Sequence, residues 1–267
     1  MGPVGVAEGD LLDIAIEVAV EAAELARTAR EAAIHDVDTK TSETDVVTAA
    51  DVAVERLVRE RLAERRPGEP VLGEEEAGGS GAPGGGVCWV VDPIDGTVNY
   101  LYGLPWYAVS LAAQVDGESV AAAVVEPASG RRWTATRGGG AFLDGRRLRV
   151  SSATRLELSL ISTGFAYRAE RRSRQAAAMA SLLGRVRDIR RPGAASLDLC
   201  AVAAGWVDGY FEHGLHRWDW AGGALIAAEA GAVVRLPESE AGLTFVTTPG
   251  IAEELWAALG ETGYRDI

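Results

Sequence analysis

Trp89-Val-Val-Asp92-Pro-Ile-Asp95-Gly-Thr97-Val-Asn-Tyr100 joins a buried strand to a pair of acids, and the architecture of the chain can be worked out from it. Val87 to Val91 is a short continuous apolar run, the pattern of a strand covered on both faces. It ends in two carboxylates three residues apart, with Pro93 and Gly96 shaping the chain so that a turn aims both at one point. Two unpaired carboxylates held that close repel and lose hydration, and a hard divalent cation with oxygen ligands is the usual remedy. Gly96 and Thr97 begin the next helical turn, whose free N–H groups form an anion site beside the cations. An Asp-Pro or Asp-Gly pair alone is an ordinary turn, so the weight lies on the whole string.

Upstream, Val71-Leu72 reads as a short strand running into Gly73-Glu74-Glu75-Glu76, followed by a glycine-rich surface loop from Gly78 to Gly86. Leu11, Ile14, Val18, Ala22, Leu25 and Ala29 recur at helical spacing and predict an amphipathic helix over 10–34, with Glu17, Glu21, Glu24 and Arg27 outside. A polar segment from His35 to Asp45 follows. Thr48 with Asp51 forms a capping-box pattern opening a second helix through Arg65, which Pro67-Gly68 ends. Downstream, Tyr107 to Val150 shows short apolar runs punctuated by Asp116-Gly117 and Asp144-Gly145, the signature of hairpins in an antiparallel sheet.

After residue 155, strands at 158–163, 207–212, 232–236 and 244–248 alternate with helices at 169–185, 195–204, 219–230 and 251–259, as in layered α/β structure. The change of pattern divides the chain into an N-terminal α+β lobe, 1–150, and a C-terminal α/β lobe, 151–267. No internal repeat is visible.

The chain of 267 residues is 48% hydrophobic, enough for a continuous core. Its net charge of −13 offers no electrostatic footprint for nucleic acid or an anionic membrane, so an anionic substrate requires cations as intermediaries. Apolar runs such as Val120 to Val125 fall far short of the roughly 18 residues that span a bilayer. The acidic Met1 to Asp10 is no export signal. Cys88 and Cys200, both in apolar segments, write neither a disulfide framework nor a zinc cluster. The expected address is cytoplasmic.

Asp92-Pro-Ile-Asp-Gly-Thr97 behind a Trp-Val-Val strand, with Gly73-Glu74-Glu75 before it and Trp218-Asp219 after it, resembles the inositol monophosphatase family. Lys40, Asp45, Val47-Thr48-Ala49, Asp51, Gly193 to Asp198 and Glu212 to Asp219 extend the likeness over nearly the whole chain. Leu101-Tyr102-Gly103, Asp198-Leu-Cys200, Ala203-Ala204-Gly205 and Ala227-Ala228-Glu229-Ala230-Gly231 are most similar to its bacterial inositol-1-monophosphatase branch.

The resemblance implies a layered αβαβα sandwich, a homodimer, sensitivity to lithium, and two to three Mg²⁺ ions. It places the first ion on Glu74, Asp92 and the Ile94 carbonyl, and the second on Asp92, Asp95 and Asp219. A third, weaker ion lies near Glu74, under a mobile loop containing Lys40 and Asp45, with Glu75 in support. Water activated at the cations and oriented by Thr97, Asp51 and Glu74 attacks phosphorus. The phosphate meets Gly96 and Thr97, and the polyol meets Asp95, Ala195, Glu212 and Asp219.

Simpler readings stand beside these. Thr48 and Asp51 either cap a helix only or also aim the water, and Glu212 is either solvated or binds substrate hydroxyls. His35, His213 and His216 suit no metal motif and read as surface or packing residues, and Trp218 as a wall of the fold. The expected reaction is hydrolysis of inositol 1-phosphate. Histidinol phosphate is the alternative substrate, since its amine suits an acidic site. Fructose bisphosphate and 3′-phosphoadenosine 5′-phosphate rank lower, the extra phosphate of the nucleotide having only Arg168, Arg190 or Arg191 to meet it. A protein-binding regulatory module is the alternative from another class.

Overall fold

The computed structural model describes residues 8–33, 37–39, 46–75, 86–239 and 242–267. Lys40 and Asp45, His35, and all of the glycine-rich loop but Gly86 lie outside them. Helix α1 (Glu8–Ala33) is followed by the antiparallel pair β1 (Val37–Thr39) and β2 (Val46–Thr48), then helix α2 (Ala49–Arg65). Next come β3 (Val71–Gly73), β4 (Val87–Asp95) and helix α3 (Thr97–Tyr102). A meander completes this half: β5 (Ala108–Val115), β6 (Glu118–Val125), β7 (Arg132–Thr136), β8 (Gly140–Leu143) and β9 (Arg146–Arg147). Strands β3 to β9 lie side by side in sequence order as a seven-stranded sheet.

The second half runs β10 (Leu160–Thr163), α4 (Ala169–Leu183), β11 (Asp188–Arg190), α5 (Ala195–Ala203), β12 (Gly209–His213) and α6 (Arg217–Glu229). It closes with β13 (Val233–Arg235), β14 (Leu243–Thr247) and α7 (Ala252–Glu261). Its five-stranded sheet has the order β11-β10-β12-β14-β13.

Three apolar cores between these elements make five layers. α1 and α2 pack on one face of the larger sheet through Leu11, Val18, Val54, Trp89 and Leu111. α5 and α6 fill the space between the sheets, where Leu199 and Ile226 join Val90, Ala112, Tyr210 and Val246. α4 and α7 cover the far face of the smaller sheet through Leu182, Phe211, Phe245 and Leu255. The result is the expected αβαβα sandwich. It also explains the unbroken apolar run: Trp89 and Val91 point into the outer core while Val90 points into the middle one, so period-2 alternation has no polar side.

The helices and turns follow local chemistry. Thr48 and Asp51 form the expected capping box, Asp51 Oδ2 accepting the Thr48 N–H at 2.8 Å. Asp116-Gly117 and Asp144-Gly145 all have positive φ, as two-residue hairpin turns with right-handed strand twist require. The buried stripe of α1 is broader than the expected one, because Ala15, Ala19, Ala23 and Ala26 are buried in the same core beside Leu11, Val18 and Ala22.

Two features depart from expectation. The first strand of the motif runs on to Asp95 instead of ending at Val91. Its pairing with β3 stops at Gly73↔Val91, so Pro93, which has no N–H to offer, meets no β3 partner. Strands β1, β2 and β11 were not anticipated either, being too short to carry a periodicity. No helix among the described residues is long and apolar enough to cross a membrane.

Candidate active site

The larger sheet delivers three acids to its edge near β3. The parallel register Gly73↔Val91 carries Glu74 alongside Asp92. Residues three apart on a regular strand face opposite sides, but the β4–β5 register shifts between Asp92 and Asp95, and this bulge brings both to one cavity. Gly96 follows at φ 90, and an added Cβ would sit 3.1 Å from both Ala194 Cβ and the Trp106 carbonyl oxygen, so glycine is required there. It caps α3, which starts at Thr97. From the middle layer, α6 contributes Asp219 in its first turn, with Oδ2 accepting the His216 N–H at 2.6 Å.

Glu74, Asp92, Ile94, Asp95, Gly96, Thr97, Ala195, Glu212 and Asp219, all anticipated from the sequence, line one cavity of about 640 Å³. Asp51 is fully buried behind it. Thr97 Oγ1 lies 3.3 Å from Asp51 Oδ1 and 3.1 Å from the Ile94 carbonyl oxygen, so the helix-capping acid also reaches the cavity wall.

Burial and mutual repulsion dominate the electrostatics. Asp95 accepts the N–H groups of Ala195 at 3.0 Å and Ser196 at 2.7 Å, together with the Ser196 hydroxyl. Burial, with the charge of Glu74 adding to it, still pushes its pKa up to about 6. Asp219 is raised well above the usual carboxylate range by burial, then by Glu74 and Asp95. Glu212 is raised by burial, against the opposing effects of the Tyr210 hydroxyl, donated to its Oε2 at 2.6 Å, and of Arg191. Beneath it, Asp198 accepts the Ser162 hydroxyl at 2.9 Å and is likewise raised by burial.

No three His, Cys, Asp or Glu side chains among the described residues converge on one point as placed, since Asp95 turns to Ser196 and Asp219 to its own helix. The donor set nevertheless fits a hard divalent cation. It is all oxygen, it gathers four carboxylates on one cavity, and the ionised forms of Asp95 and Asp219 are opposed by burial and by their neighbours' charge.

Other lining residues carried no local signal. Phe165, Tyr167 and Arg171 reach the cavity from the loop after β10 and the start of α4, a placement only the tertiary fold creates. Arg168 and Arg191 also line it, whereas Arg190 pairs with Asp188 at its own strand. His216 packs as expected, stacking on Trp218 at 4.7 Å; it also stands at the N-cap of α6 and, with Trp218 and His213, lines the cavity. His213 is a packing residue, its ring 2.8 Å from the Tyr264 carbonyl oxygen.

Residues 8–264 match the model of the inositol monophosphatase family. Inositol-1-monophosphatase from Mycobacterium leprae is 52% identical over 235 residues, 84% of this chain and 81% of that protein. A Pseudomonas aeruginosa protein described as Nus factor SuhB is 41% identical over 84% of each chain. Among solved structures, Mycobacterium tuberculosis SuhB superposes with a TM-score of 0.84 at 43% identity, covering 97% of this chain and 98% of its own. Thermotoga maritima IMPase gives 0.85 at 30% identity, covering 96% and 98%. With the acids of its sequence motifs gathered on one cavity of the same fold, the chain belongs to the inositol monophosphatase family and is a phosphoric monoester hydrolase.

Proposed function

We propose that the protein hydrolyses inositol 1-phosphate to inositol and phosphate with Mg²⁺ as its cation. The observation that carries this reading is the single cavity, with Glu74, Asp92, Asp95 and Asp219 beside the Gly96-Thr97 turn and Glu212. Glu74, Asp92 and the Ile94 carbonyl would hold one cation, and Asp92, Asp95 and Asp219 another. Bound there, the cations supply charge stabilisation for in-line displacement at phosphorus. Thr97, backed by Asp51, and Glu74 orient the attacking water. The N–H groups of Gly96 and Thr97 receive phosphate oxygens, and Glu212 accepts hydroxyls of the leaving polyol, whose ring lies against Ala195. The Asp95 and Asp219 pKa values are raised first by burial and then by neighbouring carboxylates, and a cation beside them would offset both.

The test is kcat/KM on inositol 1-phosphate, histidinol phosphate, fructose 1,6-bisphosphate and 3′-phosphoadenosine 5′-phosphate, with and without Mg²⁺. Inositol 1-phosphate is expected to lead. A higher value for histidinol phosphate makes that the substrate. The relative described as a Nus factor supports a second role in protein binding beside hydrolysis. A catalytically dead Asp92→Asn chain that still complements loss of the wild type in cells would establish it.

A further inference from the structure

Helix α2 carries two buried carboxylates one turn apart, Asp51 and Glu55, which i,i+4 spacing sets on one face. Asp51 reaches Thr97. Glu55, only 1% exposed, reaches the strand end that delivers Glu74: its Oε2 accepts the Glu75 N–H at 2.7 Å. Its Oε1 accepts Arg59 Nε at 2.9 Å and Nη2 at 2.7 Å. Arg59 Nη1 in turn donates to the Val71 carbonyl at 3.0 Å. The pair thus grips β3 at its start and again just past its end, bracketing Glu74. Gly73 shows how close the grip is, because an added Cβ would lie 2.2 Å from Glu55 Oε1.

An ion pair with one fully buried partner is a poor way to fasten a helix to a sheet, since the cost of taking the Glu55 carboxylate out of water, and Arg59 partly so, offsets much of their attraction. Apolar residues of similar size would hold α2 as firmly. A carboxylate adds what they cannot, an acceptor that fixes the direction of one backbone N–H, here that of the residue next to Glu74.

We propose that Glu55, locked by Arg59, is the positioning residue for Glu74, so that α2 sets the spacing between the Asp51–Thr97 pair and Glu74 and thereby the affinity for divalent cation. This rests on the reading of Glu74 as a cation ligand. Supporting groups around metal ligands typically govern affinity by about 10- to 100-fold.

The experiment titrates Mg²⁺ into the substrate-free full chain by calorimetry, for wild type, Glu55→Ala and Glu55→Gln. KM for inositol 1-phosphate at saturating Mg²⁺ and the urea midpoint are measured alongside. Glu55→Ala is expected to weaken Mg²⁺ binding about tenfold or more, with KM at saturating Mg²⁺ nearly unchanged. Glu55→Gln, which keeps an acceptor oxygen but loses the charge facing Arg59, is expected to fall between. A folded alanine variant with a lowered urea midpoint and an unaltered Mg²⁺ isotherm overturns the proposal, because that is the mark of a merely structural pair. Where the alanine chain does not fold, Glu55→Gln decides, and unchanged affinity overturns the proposal. A wild-type chain that binds no Mg²⁺ overturns the reading of Glu74 itself, and the proposal with it.

Discussion

Glu212 and Asp219 face the same cavity but answer to different neighbours. Glu212 is aimed by the Tyr210 hydroxyl and sits where Gly164 leaves room, a Cβ there falling 1.8 Å from its Oε2. Asp219 is fixed by the first turn of α6. Glu212→Gln is therefore expected to shift kcat/KM between inositol 1-phosphate and histidinol phosphate by about ten- to a hundredfold, the value of one hydrogen bond of ~1–3 kcal/mol. Asp219→Asn is expected to depress turnover on every ester and raise the Mg²⁺ requirement. Equal loss on both esters with a raised Mg²⁺ requirement in Glu212→Gln would move that residue to the cation site. Asp198 yields a pH signature. Burial raises its folded pKa, so its contribution to stability is full below the ordinary carboxylate value of about 4 and is lost as pH rises toward the raised one. In chelator, Asp198→Asn should exceed the wild type in urea midpoint at about pH 8, the gain shrinking as pH falls toward about 4. A gain independent of pH would remove burial of the charge as its cause. At this scale Asp92 and Asp95 were legible from their local spacing, whereas Glu74 and Asp219 were reached only through the family resemblance. Ser196, which holds Asp95, is brought in by a tertiary contact that leaves no mark on the sequence, whereas Tyr210 stands two residues before Glu212 on the same face of β12 and is a local partner.

Elements were legible where the chain writes its own boundary. The Thr48–Asp51 box and the two Asp-Gly turns depend on backbone conformations that few residues favour, and each formed as expected. Strand β4 was misjudged because its last residues are held by pairing with β5 on one side only, while proline and two acids argue locally for a turn. The β8–β9 turn offers a clean measure of backbone strain. Gly145 has φ 78 and open space around its Cα, so Gly145→Ala meets no clash and should lose only about 1 kcal/mol for a left-handed alanine. Chemical denaturation would show that loss with hydrolysis unchanged. A fall in turnover would mean that this hairpin communicates with the site.

On the scale of the molecule, five layers were anticipated through the family resemblance, and the alternation of apolar residues supplied the sheets and helices that fill them. What periodicity could not supply was the bulge and the placement of α6 between the sheets, which bring distant acids together. Their crowding makes the whole fold sensitive to cations. Chelator should abolish hydrolysis and lower Tm, and Mg²⁺ should restore both. A cation at about 100 times its Kd adds ~2.7 kcal/mol to stability. Calcium should stabilise yet depress turnover, since it takes longer bonds and looser coordination. Full activity in calcium alone, or a Tm indifferent to Mg²⁺, would contradict the cavity as a cation site.

The layer between the sheets also bears on the order in which the molecule assembles. Asp92 and Asp95 belong to the seven-stranded sheet and Glu74 follows its strand β3 directly, whereas Asp219 comes from α6 in the middle layer. A nascent chain therefore leaves the ribosome with every strand of that sheet synthesised before the segment bearing the fourth acid exists. The first three carboxylates remain open to water until the middle helices dock, and full repulsion arises only at that closing event. Divalent cation thus acts late in refolding: it should hasten the final docking phase while leaving the initial collapse at its metal-free rate.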